Sequence, residues 1–411
     1  MRVLIIGAGI GGLALAQALR AAGTDVAVHD RDPRAEATGG YRLHLDDEAC
    51  AILREVLPPA AYQALLASSA SRAAHRRITF ADHRLRTLAK AEIPLEQEML
   101  FVGRVALRVL LTTGLGDAIH WGSEYVRHET HPDGTVTAHI ADGSTDHGDL
   151  LVGADGATSR VATALAGGPT SSPVGIGGVA GRSPLTPRLR ELLPDPLRVG
   201  SILGVSPGGT SVFLTAQDDE PGPALDPALC VDVRPFPDPP VVYWGVNVPV
   251  DRLPHARKIG AETAVRAAGD LLRGWSPVVR EIVAGADPAT VGTFVYHTSD
   301  PDAHLTPWAS GTVTALGDAV HAMPPTGGRA AATAVRDAAL LAAHLADAAK
   351  GLTTIPLAVH EYERGLNAYA ADAVRTSLKP IVWQKRLANP AFGLLTRVST
   401  ALAAPVLALR R

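Results

Sequence analysis

The chain has 411 residues, enough for two or three domain-sized units with a substantial core. Hydrophobic residues make up 46% of it and charged residues 19%, which is ordinary for a globular protein and excludes global disorder. The 38 basic side chains nearly balance the 41 acidic ones, giving a net charge of −3. General nucleic-acid-binding proteins carry a basic surplus, so this balance argues against that class.

Cysteine content and the absence of other sequence motifs limit the chemistry further. Cys50 and Cys230 lie far apart and fit neither a zinc spacing, a redox spacing nor a disulfide scaffold, which favours a cytoplasmic location. The sequence has no Walker A loop, HExxH or CxxC, and its 15 histidines show no metal-like spacing. We therefore expect no metal, no nucleic-acid partner and no membrane span, in a monomer or homodimer that acts on a small molecule.

The clearest motif lies in the first residues. Val3–Ile6 is a short, wholly apolar run, which is typical of a buried parallel strand. Gly7, Gly9 and Gly12 follow in the pattern GxGxxG. In such a loop the first glycine allows a tight turn and the second lets a phosphate approach the backbone. The third lets the following helix pack closely on the sheet.

A helix, a second strand and an acid complete this unit. The predicted helix ends near Gly23, and a strand over Asp25–His29 ends at Asp30. Asp30 lies eighteen residues after Gly12, where a carboxylate can accept hydrogen bonds from ribose hydroxyls. The helix N-terminus offers unpaired N–H groups to a pyrophosphate. A lone glycine motif can be a chance turn, but all five features in this order predict a dinucleotide site.

Two later segments place an acid and a glycine after an apolar run. Residues 150–153 lead to Asp155-Gly156, which precedes a helix start. Residues 312–316 lead to Gly317-Asp318, and the loop Pro324–Gly328 then precedes a helix around Ala331–Leu345. Taken singly, the first pair could be an ordinary turn and the second a strand end with a helix cap.

Together these motifs resemble the group A flavoprotein monooxygenases, the para-hydroxybenzoate hydroxylase-like family, over most of the chain. The resemblance implies FAD as the cofactor, with Asp318 at its ribityl and ribose region and Pro324–Gly328 beside the isoalloxazine ring. It links Asp155-Gly156 to both FAD and NAD(P)H. It implies that Arg104 contacts FAD at a helix start and that Arg42 lies beside the flavin, although both could be surface charges.

The predicted cofactor site therefore extends over several segments of the chain. Its members are Gly7, Gly9, Ile10, Gly11, Gly12, Asp30, Arg31, Arg42, Arg104, Asp155, Gly317, Asp318, Pro325, Gly327, Gly328, Arg329 and Ala330. His321 is a candidate base, but a structural role beside the cofactor loop is an equal alternative. With a single GxGxxG in the sequence, NADPH or NADH would bind transiently, without a Rossmann domain of its own.

The resemblance also implies the fold. We expect an α/β protein with a Rossmann-type (GR2-like) FAD-binding domain, a discontinuous β-sheet substrate domain that roofs the flavin, and C-terminal helices. The predicted divisions are 1–70, 98–162 and 290–350 for the FAD-binding domain, 71–97 and 163–289 for the substrate domain, and 351–411 for the C-terminal helical segment. Within the substrate domain, Val212–Ala216 and Val241–Val248 read as strands.

The resemblance implies an FAD-dependent monooxygenase. It would hydroxylate or epoxidise an aromatic or polyketide-like molecule through a flavin C4a-hydroperoxide, in bacterial secondary metabolism. That adduct must be shielded from water, which a roof of strands could do. Tyr243, Trp244, Phe294 and Tyr296 are candidate pocket walls, with ordinary sheet core as the alternative.

Three alanines depart from the family pattern. Ala162 stands where the family has an arginine, and Ala330 and Ala332 stand where it has a glycine and an asparagine. A methyl group at a glycine position can block close approach of a backbone. These departures motivate an alternative function, a flavin-dependent non-redox cyclase of the Diels–Alder type. Such an enzyme, as in spirotetramate or spirotetronate biosynthesis, would use FAD structurally.

Overall fold

The predicted strand–loop–helix–strand unit at the N-terminus is confirmed. A computed structural model describes residues 1–40, 42–70, 76–92, 99–218, 233–236, 239–253 and 260–388. In it, β1 (Arg2–Ile6) is followed by α1 (Ile10–Ala21) and β2 (Asp25–Asp30). The two strands pair in parallel because the intervening helix carries the chain back to the start of the sheet.

Fifteen further strands and eleven further helices follow in the described chain. The further strands are β3 (Arg42–Leu45), β4 (Arg77–Asp82), β5 (Thr87–Glu92), β6 (Leu100–Gly103), β7 (Ile119–Trp121), β8 (Tyr125–Thr130), β9 (Val136–Ile140), β10 (Thr145–Gly148), β11 (Leu150–Gly153), β12 (Ser172–Pro184), β13 (Gly200–Val205), β14 (Ser211–Gln217), β15 (Val241–Pro249), β16 (Gly292–Thr298) and β17 (Val313–Ala315). The further helices are α2 (Asp47–Val56), α3 (Pro59–Ala67), α4 (Arg104–Leu110), α5 (Arg160–Ala166), α6 (Pro187–Leu192), α7 (Asp195–Arg198), α8 (Ala261–Leu271), α9 (Pro277–Ala284), α10 (Asp318–His321), α11 (Ala330–Ala349) and α12 (Ile355–Ala388).

The first of the two main sheets is parallel, in the order β17–β11–β1–β2–β7. Its central strand is almost wholly buried, as its apolar sequence predicts. Helices α1 and α11 pack against each other and contribute to one core with side chains of this sheet. The antiparallel meander β8–β9–β10 contributes to a second core, in which Tyr125 and Val136 meet Leu4 and Leu151. This is the Rossmann-type unit that the sequence predicts.

The second main sheet has seven mostly antiparallel strands, in the order β16–β12–β15–β14–β13–β4–β5. The strands predicted over 212–216 and 241–248 are confirmed as β14 and β15. Val242, Trp244, Val246 and Val248 of β15 share a core with helices α6 to α9. Because strand side chains alternate, Tyr243, Gly245 and Asn247 belong to the opposite face. We call this opposite face of the second sheet the open face.

Strand pairing indicates which residues belong to the first unit, built on the parallel sheet, and which to the second unit, built on the seven-stranded sheet. Strands β4 and β5 belong to the second sheet, in line with a substrate-domain piece between residues 71 and 97. Strand β16 also belongs to it, since it pairs with β12, whereas a division at residue 290 would assign β16 to the first unit. We propose that the division lies after Thr298.

Helix α12 connects the two units. Tyr362 donates from its hydroxyl to the carbonyl of Ala315 in the first sheet, at 2.9 Å. Near its other end, Gln384 donates to the carbonyl of Gly209 in the turn between β13 and β14, at 2.8 Å, and to that of Asn247 on β15, at 3.1 Å. The predicted helical segment runs to residue 411, and its part after residue 388 lies outside the described residues. No helix within the described ranges has the length and apolarity needed to cross a membrane.

Candidate functional site

The glycine loop between β1 and α1 has a geometry that only glycine satisfies at two positions. Gly7 has a φ of +110°, and a Cβ there would lie 2.3 Å from the carbonyl oxygen of Ala154. A Cβ on Gly12 would lie 2.0 Å from the carbonyl oxygen of Gly7. At Gly9, by contrast, the nearest heavy atom would be 3.9 Å away, so the backbone there remains accessible to a ligand.

Two neighbouring residues of the predicted site pack within the protein. Ile10 begins α1 and is buried. A Cβ on Gly11 would meet the side chains of Leu316 and Ala334 at 2.7 and 3.1 Å. The absence of a side chain at Gly11 is therefore explained by packing against α11. No side chain caps α1 and no acid lies in its first turn, so its N-terminal N–H groups suit an anion.

Asp30 supports the glycine loop directly. Its carboxylate accepts hydrogen bonds from the backbone N–H of Ala8, at 2.6 Å, and of Asp32, at 2.8 Å. Arg108, which is buried, lies 3.2 Å from this carboxylate and donates to the carbonyl of Ala8 at 2.8 Å. A carboxylate has about four acceptor positions, so these three contacts leave room for one ribose hydroxyl. Arg31 follows it and is exposed.

Arg108 belongs to the candidate site but is absent from the residues predicted from the sequence. It also pairs with Asp32 at 2.7 Å and lies over the ring of Trp121, with 5.2 Å to the ring centroid. The sequence offers one indication that Arg108 belongs to the site: it lies one helical turn after Arg104, on a helix of mostly apolar residues. A buried arginine needs acceptors, and here the loop itself supplies them.

Arg104 and Asp318 come together from distant parts of the sequence. Burial lowers the pKa of Arg104, and the charge of Asp318 opposes that shift. Burial likewise raises the pKa of Asp318, against the opposing charges of His321 and Arg104. The Nε atom of Arg104 is buried and finds no hydrogen-bond partner within the described ranges. Such an orphaned donor beside an acid is what a polar cofactor would satisfy.

A buried acid on α11 fixes the Gly317-Asp318 turn. Asp337 accepts from the backbone N–H of Gly317 at 2.8 Å and from the hydroxyl of Tyr369 at 2.6 Å. Its carboxylate also lies 2.6 Å from Nε2 of His321, and both side chains are wholly buried. Burial alone would lower the pKa of His321, but the charge and hydrogen bond of Asp337, together with the charge of Asp318, outweigh it and the pKa is raised. These contacts favour the structural alternative for His321.

The loop Pro324–Gly328 packs against α12. Thr326 donates to the carbonyl of Ser377 at 2.6 Å, and a Cβ on Gly327 would lie 2.4 Å from the hydroxyl of Ser377. Gly328 has a φ of +66° and donates to the carbonyl of Pro325 at 2.9 Å. The exposed Arg329 then precedes α11, whose first residue, Ala330, packs beside Met323 and Val374. Helix α12 therefore shapes the predicted flavin loop.

Asp155 has a local structural contact as well as a possible role in binding. Its carboxylate accepts from the hydroxyl of Ser159 and, at 2.8 Å, from the backbone N–H of Arg160. Burial raises its pKa, and these hydrogen bonds oppose the shift. The side chain therefore stabilises the start of α5, beside the carbonyl of Ala154 that touches the glycine loop.

The departures from the family pattern are accommodated by packing. Ala162, on α5, and Ala332, on α11, are buried in the core formed around the parallel sheet. Small side chains suit these positions because helices pack closely there.

Arg42 joins the two units at the predicted flavin position. It pairs with Gly103, the residue before Arg104, across the two-stranded sheet β3–β6. Its guanidinium lies over the ring of Tyr243 on β15, 5.5 Å from the ring centroid. Tyr243 therefore lies on the open face of the second sheet and close to the predicted cofactor site.

The other predicted substrate residues are distributed differently. Phe294 and Tyr296 stack at 4.8 Å and pack with Leu378 and Ile381 of α12. The prediction for Trp244 needs correction, because its side chain lies in the core between the sheet and helices α6 to α9. There its Nε1 donates to Ser183 at 2.9 Å. Adjacent residues of a strand point to opposite faces, so Tyr243 and Trp244 cannot both line one pocket.

A second polar cluster lies at the edge of the parallel sheet. His29, His120 and Asp146 place ligand-type atoms within 4.8 Å of one another. The two imidazole rings are stacked, inclined by only 22°, so their in-plane lone pairs do not converge on one point. Both oxygens of Asp146 already accept from Arg2, at 3.0 and 3.1 Å. This arrangement suits an ion-pair cluster better than a metal ion.

Comparison with known proteins agrees with this geometry. The chain matches the family model described as FAD binding domain over residues 1–210 and 281–377. It is also similar to a solved structure from Photorhabdus luminescens subsp. laumondii TTO1, assigned as an FAD-containing monooxygenase. Sequence identity is 30%, the TM-score is 0.76, and the alignment covers 95% of this chain and 98% of the other.

Curated relatives include bacterial and fungal enzymes. The 6-hydroxynicotinate 3-monooxygenase of Pseudomonas fluorescens is 25% identical, over 89% of this chain and 88% of that enzyme. A dual O-methyltransferase/FAD-dependent monooxygenase of Phaeosphaeria nodorum is 31% identical over 82% of this chain. The match covers 39% of that fungal protein, so the chain spans less than half the length of this relative. On the family match, which covers most of the chain, this protein belongs to the FAD-binding-domain family that contains the group A FAD-dependent monooxygenases.

Proposed function

We propose that this protein is an FAD-dependent monooxygenase that hydroxylates or epoxidises an aromatic or polyketide-like small molecule in bacterial secondary metabolism. NADPH or NADH would be the transient reductant, in the cytoplasm, in a monomer or homodimer. The observation that carries the proposal is the Arg42–Tyr243 contact, at 5.5 Å. It sets the open face of the second sheet against the cluster of Arg104 and Asp318.

Residues of the first unit would bind and orient the cofactor. The N–H groups at the start of α1, next to the open backbone of Gly9, suit its pyrophosphate. Arg104 and Asp318 suit its polar chain, and the loop Pro324–Gly328 suits its ring system. When bound, FAD would supply the activation of molecular oxygen and the transfer of one oxygen atom.

The second unit would position the substrate and exclude water. Its open face would cover the reacting atoms, so that neither water nor a second oxidisable molecule reaches them. For a hydroxylation, one oxygen atom of O₂ enters a C–H bond of the substrate. The other leaves as water, with two electrons from NAD(P)H and one further proton. The relative named for 6-hydroxynicotinate supports an aromatic substrate.

Reduction of the bound flavin tests this function. The purified holoprotein is mixed anaerobically with NADPH or NADH, with and without 6-hydroxynicotinate or 2-naphthol, and the flavin absorbance near its visible maximum is followed. Bleaching, faster with an aromatic compound present, is the expected result. If no nucleotide bleaches the flavin while a polyene is converted to a cyclised isomer, the protein is the non-redox cyclase and the proposal fails.

A further inference from the structure

Charge is distributed unevenly along the sequence. From Ala373 to Arg411 the chain has seven basic residues and no acidic one. They leave 31 of the 38 basic residues for residues 1–372, which hold all 41 acidic ones and so carry a net charge of −10. A basic segment on an otherwise acidic chain is typical of a region that binds an anionic surface. The seven residues are Arg375, Lys379, Lys385, Arg386, Arg397, Arg410 and Arg411.

The end of helix α12 is the part of this segment that the structure describes. One side of the helix packs on the second unit. Ile381 is buried beside Tyr296, and Gln384 donates to the carbonyl of Asn247 on β15 at 3.1 Å. These contacts fix the rotation of the helix about its axis and determine which residues turn away from the protein.

The opposite side of this helix end is exposed and both basic and apolar. Its residues follow the spacing i, i+3, i+4 and i+7, which defines one face of an α-helix. We call this surface the basic face of α12. Its members are Lys379, Val382, Trp383 and Arg386.

The apolar side chains of the basic face are unusually open to solvent. Val382 is 44% exposed and Trp383 is 57% exposed. Within the described ranges, no larger apolar side chain is as exposed as Trp383. The guanidinium of Arg386 lies 6.0 Å from the centroid of its ring. Tryptophan among lysine and arginine is the composition of helices that lie at a membrane surface. There the ring enters the headgroup region and the cations meet lipid phosphates.

Charge complementarity favours a lipid surface over a second copy of this chain. A two-fold contact through the basic face would set lysine and arginine of one copy against those of the other, and like charges across an interface are repulsive. An anionic bilayer offers phosphates for the cations and an apolar region for Val382 and Trp383 at the same time.

We propose that the basic face of α12 binds the surface of an anionic membrane. Trp383 would insert among the headgroups, with the basic residues against lipid phosphates and the helix axis parallel to the surface. Each lysine or arginine near such a surface strengthens binding roughly fivefold. This interaction goes beyond the proposed function and does not depend on it.

Sedimentation with lipid vesicles tests the inference on the purified holoprotein. Vesicles of phosphatidylglycerol and phosphatidylcholine in equal parts are compared with vesicles of phosphatidylcholine alone. We expect binding to the anionic vesicles at about 0.1 M NaCl, and at least roughly tenfold weaker binding to the neutral ones. At about 0.5 M NaCl the difference should largely disappear, because salt screens the attraction.

Two double variants of equal charge change locate the surface. Trp383→Ser combined with Arg386→Glu should weaken binding to the anionic vesicles by about 30-fold. Flavin content and thermal stability should not change, since both side chains are exposed. The matched control lies just after α11, where exposed Lys350 and Leu352 also combine a basic and an apolar side chain. Lys350→Glu combined with Leu352→Ser should keep the wild-type affinity within about twofold.

Several outcomes would overturn the inference. Wild-type protein that leaves anionic vesicles unbound, or binds both kinds equally, contradicts it without any variant. Equal losses in the two double variants contradict the location on α12, as does unchanged binding after Trp383→Ser with Arg386→Glu. If that variant instead converts a dimer to a monomer on gel filtration while wild-type protein ignores vesicles, a second copy covers the face. Reduction of the flavin by NAD(P)H is measured separately, so the proposed function can fail or stand independently.

Discussion

The two units of the molecule use glycine in different ways. In the first, a Cβ on Gly7 or Gly12 would meet backbone carbonyl oxygens at 2.3 and 2.0 Å. In the second, a Cβ on Gly178 or Gly200 would also meet backbone carbonyl oxygens, those of Val246 and Arg77, at 2.2 and 1.8 Å. Gly12 follows Gly7, whose carbonyl it approaches, by only five residues, whereas Val246 and Arg77 lie on neighbouring strands that are distant in the sequence. The first constraint therefore leaves a recognisable motif, and the second leaves none.

The largest expected effect breaks the backbone constraint. Gly12→Ala would place a methyl group in contact with the carbonyl of Gly7. We expect the free energy of unfolding to fall by about 4 kcal/mol, since backbone atoms cannot make room cheaply, and FAD to be lost. Chemical denaturation and the flavin content of the purified protein measure both.

Gly9→Ala is the matched control. The added methyl group would have no heavy atom closer than 3.9 Å, so the apoprotein should keep its stability while FAD binding weakens. If both variants unfold alike, the loop is sensitive to any side chain and the distinction between the two glycines is lost.

The second effect tests the buried acid that fixes the Gly317-Asp318 turn. Asp337→Asn should lower the free energy of unfolding by about 3 kcal/mol, because it leaves a buried partner without its charge. Tyr369→Phe, which removes one hydrogen bond to the same carboxylate, should cost only about 1 kcal/mol. Urea unfolding of the three proteins compares them, and equal losses would contradict the central role of Asp337.

The same pair predicts a dependence on pH. Because the folded-state pKa of His321 is raised, its stabilising effect is complete below the unfolded value of about 6.5. The effect is lost as the pH rises through the folded-state pKa. The stability difference between the wild type and His321→Asn should therefore shrink from pH 6 to pH 10. A difference that grows with pH would refute the assignment.

The third effect is expected on FAD affinity much more than on the free energy of unfolding. Arg104→Met removes the orphaned Nε and the charge that faces Asp318, so we expect FAD affinity to fall by about 30-fold, roughly 2 kcal/mol. The apoprotein should lose at most about 1 kcal/mol of stability, because removal of an unpaired buried donor offsets the loss of the charge that faces Asp318. Titration of FAD fluorescence measures the affinity. The exposed Arg329, changed to methionine, should show a much smaller loss.

The smallest effect compares two neighbours on one strand. Trp244→Phe removes a hydrogen bond to Ser183 and should lower the free energy of unfolding by about 1 kcal/mol, without changing the flavin spectrum. Tyr243→Phe should alter the flavin spectrum with 2-naphthol bound, because Tyr243 lies beneath Arg42. A spectral change in Trp244→Phe of equal size would show that the two faces are not separate.

Local patterns in the sequence predict the part of the first unit that carries the glycine loop. The strand before Gly7, the three spaced glycines and the strand ending at Asp30 all lie where the pattern predicts them. These features depend on residues near one another in the chain, where strand length, helix start and turn geometry are local properties. The family resemblance, and with it FAD, also required the later motifs at Asp155-Gly156 and Gly317-Asp318.

Contacts between distant residues were decided by the tertiary structure alone. Asp337 approaches Gly317 across twenty residues, and Arg108 reaches Ala8 across one hundred. Neither contact leaves a spacing that a motif could record. Each depends on how helices α11 and α4 pack on the sheet.

The orientation of the Trp244 side chain also could not be predicted from the sequence, although it depends on a single strand. Residues Val241–Val248 are all buried. Helices cover one face of β15, and the first unit and α12 lie against the other face. A strand buried on both faces has no alternation of polar and apolar residues, so its sequence predicts a strand without indicating which side chains face which way. Only tertiary contacts, of Tyr243 with Arg42 and of Trp244 with the core under helices α6 to α9, assign the two side chains to opposite faces.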